Sequence, residues 1–213
     1  MPDTAPLRTR AQKVNDLKRN LILDAARELF EQEGLDGASL RGIAAKAGYT
    51  PAALYFHFKS KEDIYAEVLK ESLDRLNAHV QAKLEEARKP KQRLRAAALG
   101  FFDFYAENPR DLDLGFYLFR GGMRPKGLGR ERDEELNREL NMALYPIRDA
   151  GLELGLSDIE ARRLMVEIFA HAVGLLLLAH TGRIRMYGEA PEVLMRTYLE
   201  DRLDGIKKPK ILV

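Results

Sequence analysis

The sequence predicts an all-α chain of about nine helices, with an N-terminal three-helix helix-turn-helix domain followed by a larger helical domain. Three observations support this. Apolar residues recur at three- and four-residue steps over long stretches, no run alternates with period two, and Gly or Pro breaks fall at helix-length intervals. Hydrophobic residues make up 46% of the 213 positions, enough to fill a core.

Residues 1–15 contain Pro2, Pro6, Arg8, Arg10 and Lys13, with Lys18 just beyond, and read as a flexible basic arm. A first helix is expected from Asp16 to about Gln32. Ile22, Ala25, Ala26, Leu29 and Phe30 share one of its faces, and Gly34 acts as the C-cap. Ser39 is an N-cap for a second helix carrying Leu40, Ile43, Ala44 and Ala47, and Gly48 supplies the turn after it. Thr50 caps a third helix, with Pro51 at the first helical position, where a missing N–H does no harm. Ser60-Lys61-Glu62-Asp63 reads as a capping box, so a fourth helix starts at Lys61 and runs to about Arg88, before Pro90. Further helices are expected near 91–107, 110–119, 130–153, 157–182 and 190–204. Their breaks fall at Asn108-Pro109, Gly121-Gly122, Gly155 and Gly188. The expected division is an arm (1–15), a helix-turn-helix domain (16–62), a second helical domain (63–206) and a frayed tail (207–213).

Two short helices joined at a Gly turn, the second opened by Thr-Pro, have the size of a helix-turn-helix over Ser39 to Phe58. At about 100° per residue, Leu54 and Phe58 fall together on the core side of the third helix. Ala52 and Phe56 then point outward, with Tyr55 and His57 beside them. An outward Phe calls for a partner other than water.

Composition narrows the function. There are no cysteines, which excludes disulfides, Fe–S clusters and thiolate zinc sites and fits a reducing compartment. The net charge of +2 conceals a split, with +3 in residues 1–61 and −1 in the remainder, so the cationic excess lies at the N-terminal end. No signal-peptide pattern opens the chain. Ile168 to Ala179, the longest apolar stretch, is twelve residues against the roughly 20 that a membrane span needs. A soluble, cytoplasmic protein without a membrane partner is expected. Nucleophile-elbow, phosphate-loop, zinc-protease and dinucleotide motifs are absent, and His171 and His180 fall on opposite faces of one helix. Neither enzymatic activity nor a cofactor or metal is expected.

The stretch from Gly48 through Tyr49, Thr50, Pro51, Ala52, Ala53, Leu54, Tyr55, Phe56, His57, Phe58, Lys59, Ser60, Lys61, Glu62 and Asp63 to Ile64 resembles the signature of the TetR family of bacterial regulators. Ile22 to Phe30, Gly34 and Ser39 to Ala44 look like that family's first two helices, so the resemblance covers about residues 18–70. It implies a homodimer that binds double-stranded operator DNA and answers to a small-molecule effector. It also implies phosphate contacts by Thr50, Tyr55, His57 and Lys61, all residues able to donate to a phosphate. Arg41 matches a position that reaches a guanine or a phosphate. Ala52 and Phe56 match base-facing positions. Pro51-Ala52-Ala53 departs from many members, leaving a face without hydrogen-bond donors that suits thymine methyls rather than purine edges.

In the C-terminal domain, seven of the chain's seventeen aromatics lie between Phe101 and Phe119. The resemblance implies an effector cavity there, for which Phe102, Tyr105, Phe116, Tyr117, Arg120, Tyr145 and Phe169 are the candidates. Such a lining favours an apolar, aromatic or acyl-type effector. Five basic residues between Arg120 and Arg132 read either as a guide for an anionic ligand or as a solvated loop. Phe169 to Gly174 is similar to a Trp-x-x-His-Gly-like segment of some members. The helix near 157–182 becomes apolar on all sides, which a surface helix does not do. By resemblance, the last two long helices form a dimer seam, with Leu175, Leu176, Leu178, Leu194 and Tyr198 as its candidates. The function expected is a repressor released by its effector. An activator, or a ligand- or partner-binding helical dimer with a vestigial helix-turn-helix, remains the alternative.

Overall fold

The computed structural model describes residues 9–116 and 127–206. Nine α-helices lie among these residues, and no strand does: α1 (Arg10–Gly37), α2 (Leu40–Lys46), α3 (Pro51–Tyr55), α4 (Lys61–Glu85), α5 (Pro90–Glu107), α6 (Pro109–Gly115), α7 (Arg130–Glu153), α8 (Asp158–His180) and α9 (Pro191–Gly205). A 3-10 turn, Arg183–Tyr187, follows α8.

The capping residues read from sequence form the starts they announce. Ser39 accepts the Gly42 N–H and Thr50 that of Ala53; Ser157, a cap not read from the sequence, accepts that of Glu160, with Glu160 returning the bond as a full capping box. At Ser60 the box is half as expected. Its hydroxyl accepts the Asp63 N–H, but the Asp63 carboxylate reaches back to the N–H of Lys59. One start differs from expectation. α1 begins at Arg10 rather than Asp16, because Thr9 and Gln12 form a capping box, and residues 10–15 are helix rather than arm. Gly34 interrupts the end of α1 with φ 70°, which an L side chain adopts only at a cost.

Two compact units emerge. The first holds residues 1–71 and 113–132, and the second 72–112 and 133–213, so the border expected after residue 62 falls instead within α4. Helices α6 and α7 also have residues in both units.

The first unit is built on Ile22, Ala26 and Phe30 of α1, Ile43 and Ala44 of α2, Leu54 of α3, and Ile64, Tyr65 and Val68 of α4. Burying a side chain of the Ile, Leu or Phe type contributes about 1.5–3 kcal/mol. The Tyr65 ring meets Phe30 edge-on at 4.9 Å, and its hydroxyl donates to the Leu114 carbonyl at 2.8 Å. Arg132, in the first turn of α7, donates to Asp63 in the first turn of α4 and to the Leu128 carbonyl.

The second unit packs α5 against α8 and α9. Leu94, Phe101 and Phe102 of α5, Ile168 and Leu176 of α8, and Met195, Leu199 and Leu203 of α9 are among its buried residues. At Gly100 α5 lies against Val80 of α4, where a Cβ would sit 3.4 Å from the Val80 backbone, an ordinary van der Waals contact. By length and composition α8 is apolar enough to cross a membrane. In this fold Leu164, Ile168, Ala172, Leu175 and Leu176 are instead buried within the second unit.

Candidate functional site

The outward face of α3 is built by its neighbours. Leu54 and Phe58 are held in the core, which turns Pro51, Ala52, Tyr55 and Phe56 to solvent. Phe56, at the C-cap of α3, is 89% exposed, and Tyr55 is 57% exposed. His57 is half-buried beside them. The Thr50 hydroxyl accepts the Ala53 N–H at 3.2 Å, so its own proton remains available to an incoming acceptor. Arg41 on α2 is exposed and has no partner among the described residues. This leaves an apolar patch on α3 with a phenol, an imidazole and a hydroxyl along it, and an exposed guanidinium on α2.

Lys61 stands differently from expectation. It is half-buried, and its ammonium donates to the carbonyls of Leu35 at 2.8 Å and Ala38 at 3.3 Å. Those bonds satisfy carbonyls at the broken end of α1 and use two of the three ammonium protons, so it is not a free cation. Lys46 on α2 is paired with Glu28 at 2.8 Å.

Sequence reasoning missed the support of this face. Burial pulls the Asp63 carboxyl upward, but Arg132, with bonds from Ser60 and Lys59, outweighs it and holds the group below the usual carboxylate range. Arg27 pairs with Asp24 and Glu71, and Arg19 pairs with Glu67 at 2.9 Å while lying 4.6 Å from the Phe58 ring centre. These partners are up to 69 residues apart, beyond what local patterning reveals.

The effector candidates separate. Phe102 and Tyr105 are buried, and burial pushes the Tyr105 phenol far above its ordinary range. Phe169 is half-buried and meets Phe101 edge-on at 5.6 Å. Tyr145 is 40% exposed under the Arg148 guanidinium, a surface position rather than an interior lining. Phe116 is half-buried and belongs to the first unit, whereas Phe102, Tyr105 and Phe169 belong to the second. Tyr117 and Arg120 lie outside the described residues. Among the described residues, no group of three or more His, Asp or Glu side chains is placed to hold a metal ion.

The dimer candidates need correction. Leu175 and Leu176 are buried in their own unit and are not available to a partner. The outer face of α8 carries Ile159, Val166 and Leu177, which are 71%, 56% and 43% exposed. Leu178 flanks that face at 38%. On α9, Leu194 is half-buried. Tyr198 stacks on His171 of the same chain at 3.8 Å, with Arg202 4.9 Å from its ring centre.

Residues 22–68 match the sequence pattern described as "Bacterial regulatory proteins, tetR family". The chain is 38% identical over 101 residues to the HTH-type transcriptional activator FasR of Mycolicibacterium smegmatis, spanning 47% of this chain and 46% of that one. It is 36% identical over 86 residues to the HTH-type transcriptional repressor KstR2 of the same organism, spanning 40% and 42%. These matches thus span under half the length of either relative. Among solved structures, the FadR regulator of Bacillus subtilis in complex with stearoyl-CoA superposes with a TM-score of 0.64 at 20% identity, covering 85% of this chain and 95% of that one. The fatty acid degradation regulator FadR of Bacillus halodurans gives 0.63 at 19%, covering 86% and 93%. At these identities the likeness establishes the fold.

Proposed function

We propose that the chain, which matches the tetR family of bacterial regulatory proteins over residues 22–68, is a homodimeric, effector-responsive transcription regulator that binds operator DNA. The observation that carries this reading is the face of α3. Phe56, Tyr55, Ala52 and Pro51 stand in solvent within the matched segment, beside an unpaired Arg41. No packing need of the chain itself accounts for an aromatic that is 89% exposed at that point. Arg41, Thr50, Tyr55 and His57 take the backbone and polar contacts, while Pro51, Ala52 and Phe56 meet base edges. Lys61 contributes one remaining proton, and its main work is to hold α1 to α4.

The effector is an acyl compound, with long-chain acyl thioesters the first to test. The complex of a structural neighbour with stearoyl-CoA and the apolar aromatics of α5 support this choice. Both an activator and a repressor occur among the relatives, so release of DNA by the effector is the repressor form of the proposal. The pairing surface is the outer face of α8, through Val166, Leu177 and their neighbours. Dimerisation would cover apolar residues that the isolated chain leaves in water. Because α4, α6 and α7 each have residues in both units, they are the continuous elements through which an effector in the second unit would act on the first.

Selection of bound duplexes from a random pool tests the proposal. An inverted repeat should emerge, and a long-chain acyl-CoA should change its affinity severalfold, as expected for a typical coupling of roughly 1–3 kcal/mol. Enrichment without an acyl-CoA effect would remove the effector assignment, and no enrichment would remove the DNA reading.

A further inference from the structure

The start of α1 was expected to be a mobile arm, yet Arg10 to Leu21 is a capped helical extension that packs against little of its own unit. Every residue from Arg10 to Leu21 is exposed except Asp16 and Arg19, which are half-buried, and full burial begins only at Ile22. At 1.5 Å per residue the extension is about 18 Å long. Arg19 anchors its base through Glu67 and the ring of Phe58, the residue that closes the segment containing Phe56 and His57.

Besides Arg19, three cations ride on this extension: Arg10, Lys13 and Lys18. None of them has a partner among the described residues, in contrast to Arg19, Arg27 and Lys46 of the same unit. Their outward face also carries Val14 and Leu17, which are 45% and 61% exposed. Arg10 and Lys18 border one shallow groove with Val14.

We propose that this extension is a second DNA-contacting element, in which Arg10, Lys13 and Lys18 bind backbone phosphates beyond those reached from α2 and α3. This inference rests on the reading of the chain as a DNA-binding protein. The occupant is chosen by chemistry. A second copy of the same face would set Arg10 and Lys13 against their own duplicates, burying like charges. A DNA backbone presents anions separated by apolar sugar edges, which suits cations interleaved with Val14 and Leu17. The positive excess of the first 61 residues favours the same partner. Such contacts add affinity without reading sequence.

The experiment compares the unaltered chain with its Arg10→Ala, Lys13→Ala, Lys18→Ala triple variant. Binding to a random-sequence duplex is measured across salt concentrations, with the melting curve as a check on folding. The extension packs on little, so the melting curve should not move. Each lost phosphate contact lowers the slope of log affinity against log salt by about 0.9, so the variant's slope should flatten by close to three per bound chain, with the ranking among sequences unchanged. An unchanged slope overturns the proposal, as does a shift in oligomeric state without a change in slope, which assigns the face to a second copy. If the unaltered chain shows no salt-dependent DNA binding at all, the parent reading fails instead.

Discussion

On the proposed reading, Phe56 and Arg41 would divide the work of recognition by their chemistry. Phe56 has no donor, so it discriminates only through contact with apolar groups, and the thymine 5-methyl is the apolar group on a base edge in the major groove. Replacing the thymines of a selected site by deoxyuridine should weaken the unaltered chain by roughly fourfold for each contacted methyl, at about 0.8 kcal/mol each. The Phe56→Ala variant should be indifferent to that replacement and should melt as before, since its side chain is 89% exposed. Arg41→Ala should alter the ranked preference among sites containing G·C pairs, read by competition between duplexes; an unaltered ranking would reduce Arg41 to a backbone contact. In the core of the same unit, Tyr65→Phe removes the donor to the Leu114 carbonyl. Chemical denaturation should show a loss of about 1 kcal/mol. The exposed positions are legible in the sequence because one heptad of α3 and its loop carries both markers: Leu54 and Phe58 point in, so Phe56 points out. The role of Lys61 is not legible, because its acceptors lie 26 and 23 residues away and depend on where α1 breaks.

At the scale of the helix, α8 shows where periodicity stops informing. A helix apolar on every side gives no signal of which side its own unit covers. The structure assigns Leu176 to the interior and Leu177 to the outside, one residue and 100° apart. Leu176→Ala should therefore cost about 2–5 kcal/mol of folding stability. Leu177→Glu should leave the fold intact and shift the sedimentation of the dimer towards monomer. If Leu177→Glu sediments as the unaltered chain does, the pairing face is elsewhere. The α8–α9 contact also carries a pH dependence. Burial, then the charge of Arg202, lowers the pKa of His171, whose imidazole stacks on Tyr198. A histidine with a depressed folded-state pKa is held neutral, and the unfolded chain takes up the proton first. Its contribution is thus fully present above its ordinary value of 6.5 and declines as pH falls below that value. Melting temperature should drop over that range, and the drop should be smaller in His171→Gln. Helix starts, in contrast, are set by local residues, which is why Ser39 and Thr50 could be identified from sequence alone.

At the scale of the molecule, the division of the chain into two units does not follow the sequence order. Residues 113–116 and 127–132 belong with the first unit, tied to it by Tyr65 and Leu114 and by Arg132 and Asp63. No pattern in the sequence announces such a return, because the paired residues are 49 and 69 positions apart. The helix-turn-helix itself is legible, since its helices are short, consecutive and capped. Two copies of it, held by a C-terminal pairing face, would require an inverted repeat whose half-sites lie about 34 Å apart, one turn of DNA. The most direct test is an anisotropy titration of a selected inverted repeat against its scrambled counterpart at fixed salt. Two chains should bind per duplex, with the repeat favoured by at least about a thousandfold. Equal binding of the two duplexes, or one chain per duplex, would contradict a dimeric, sequence-reading regulator.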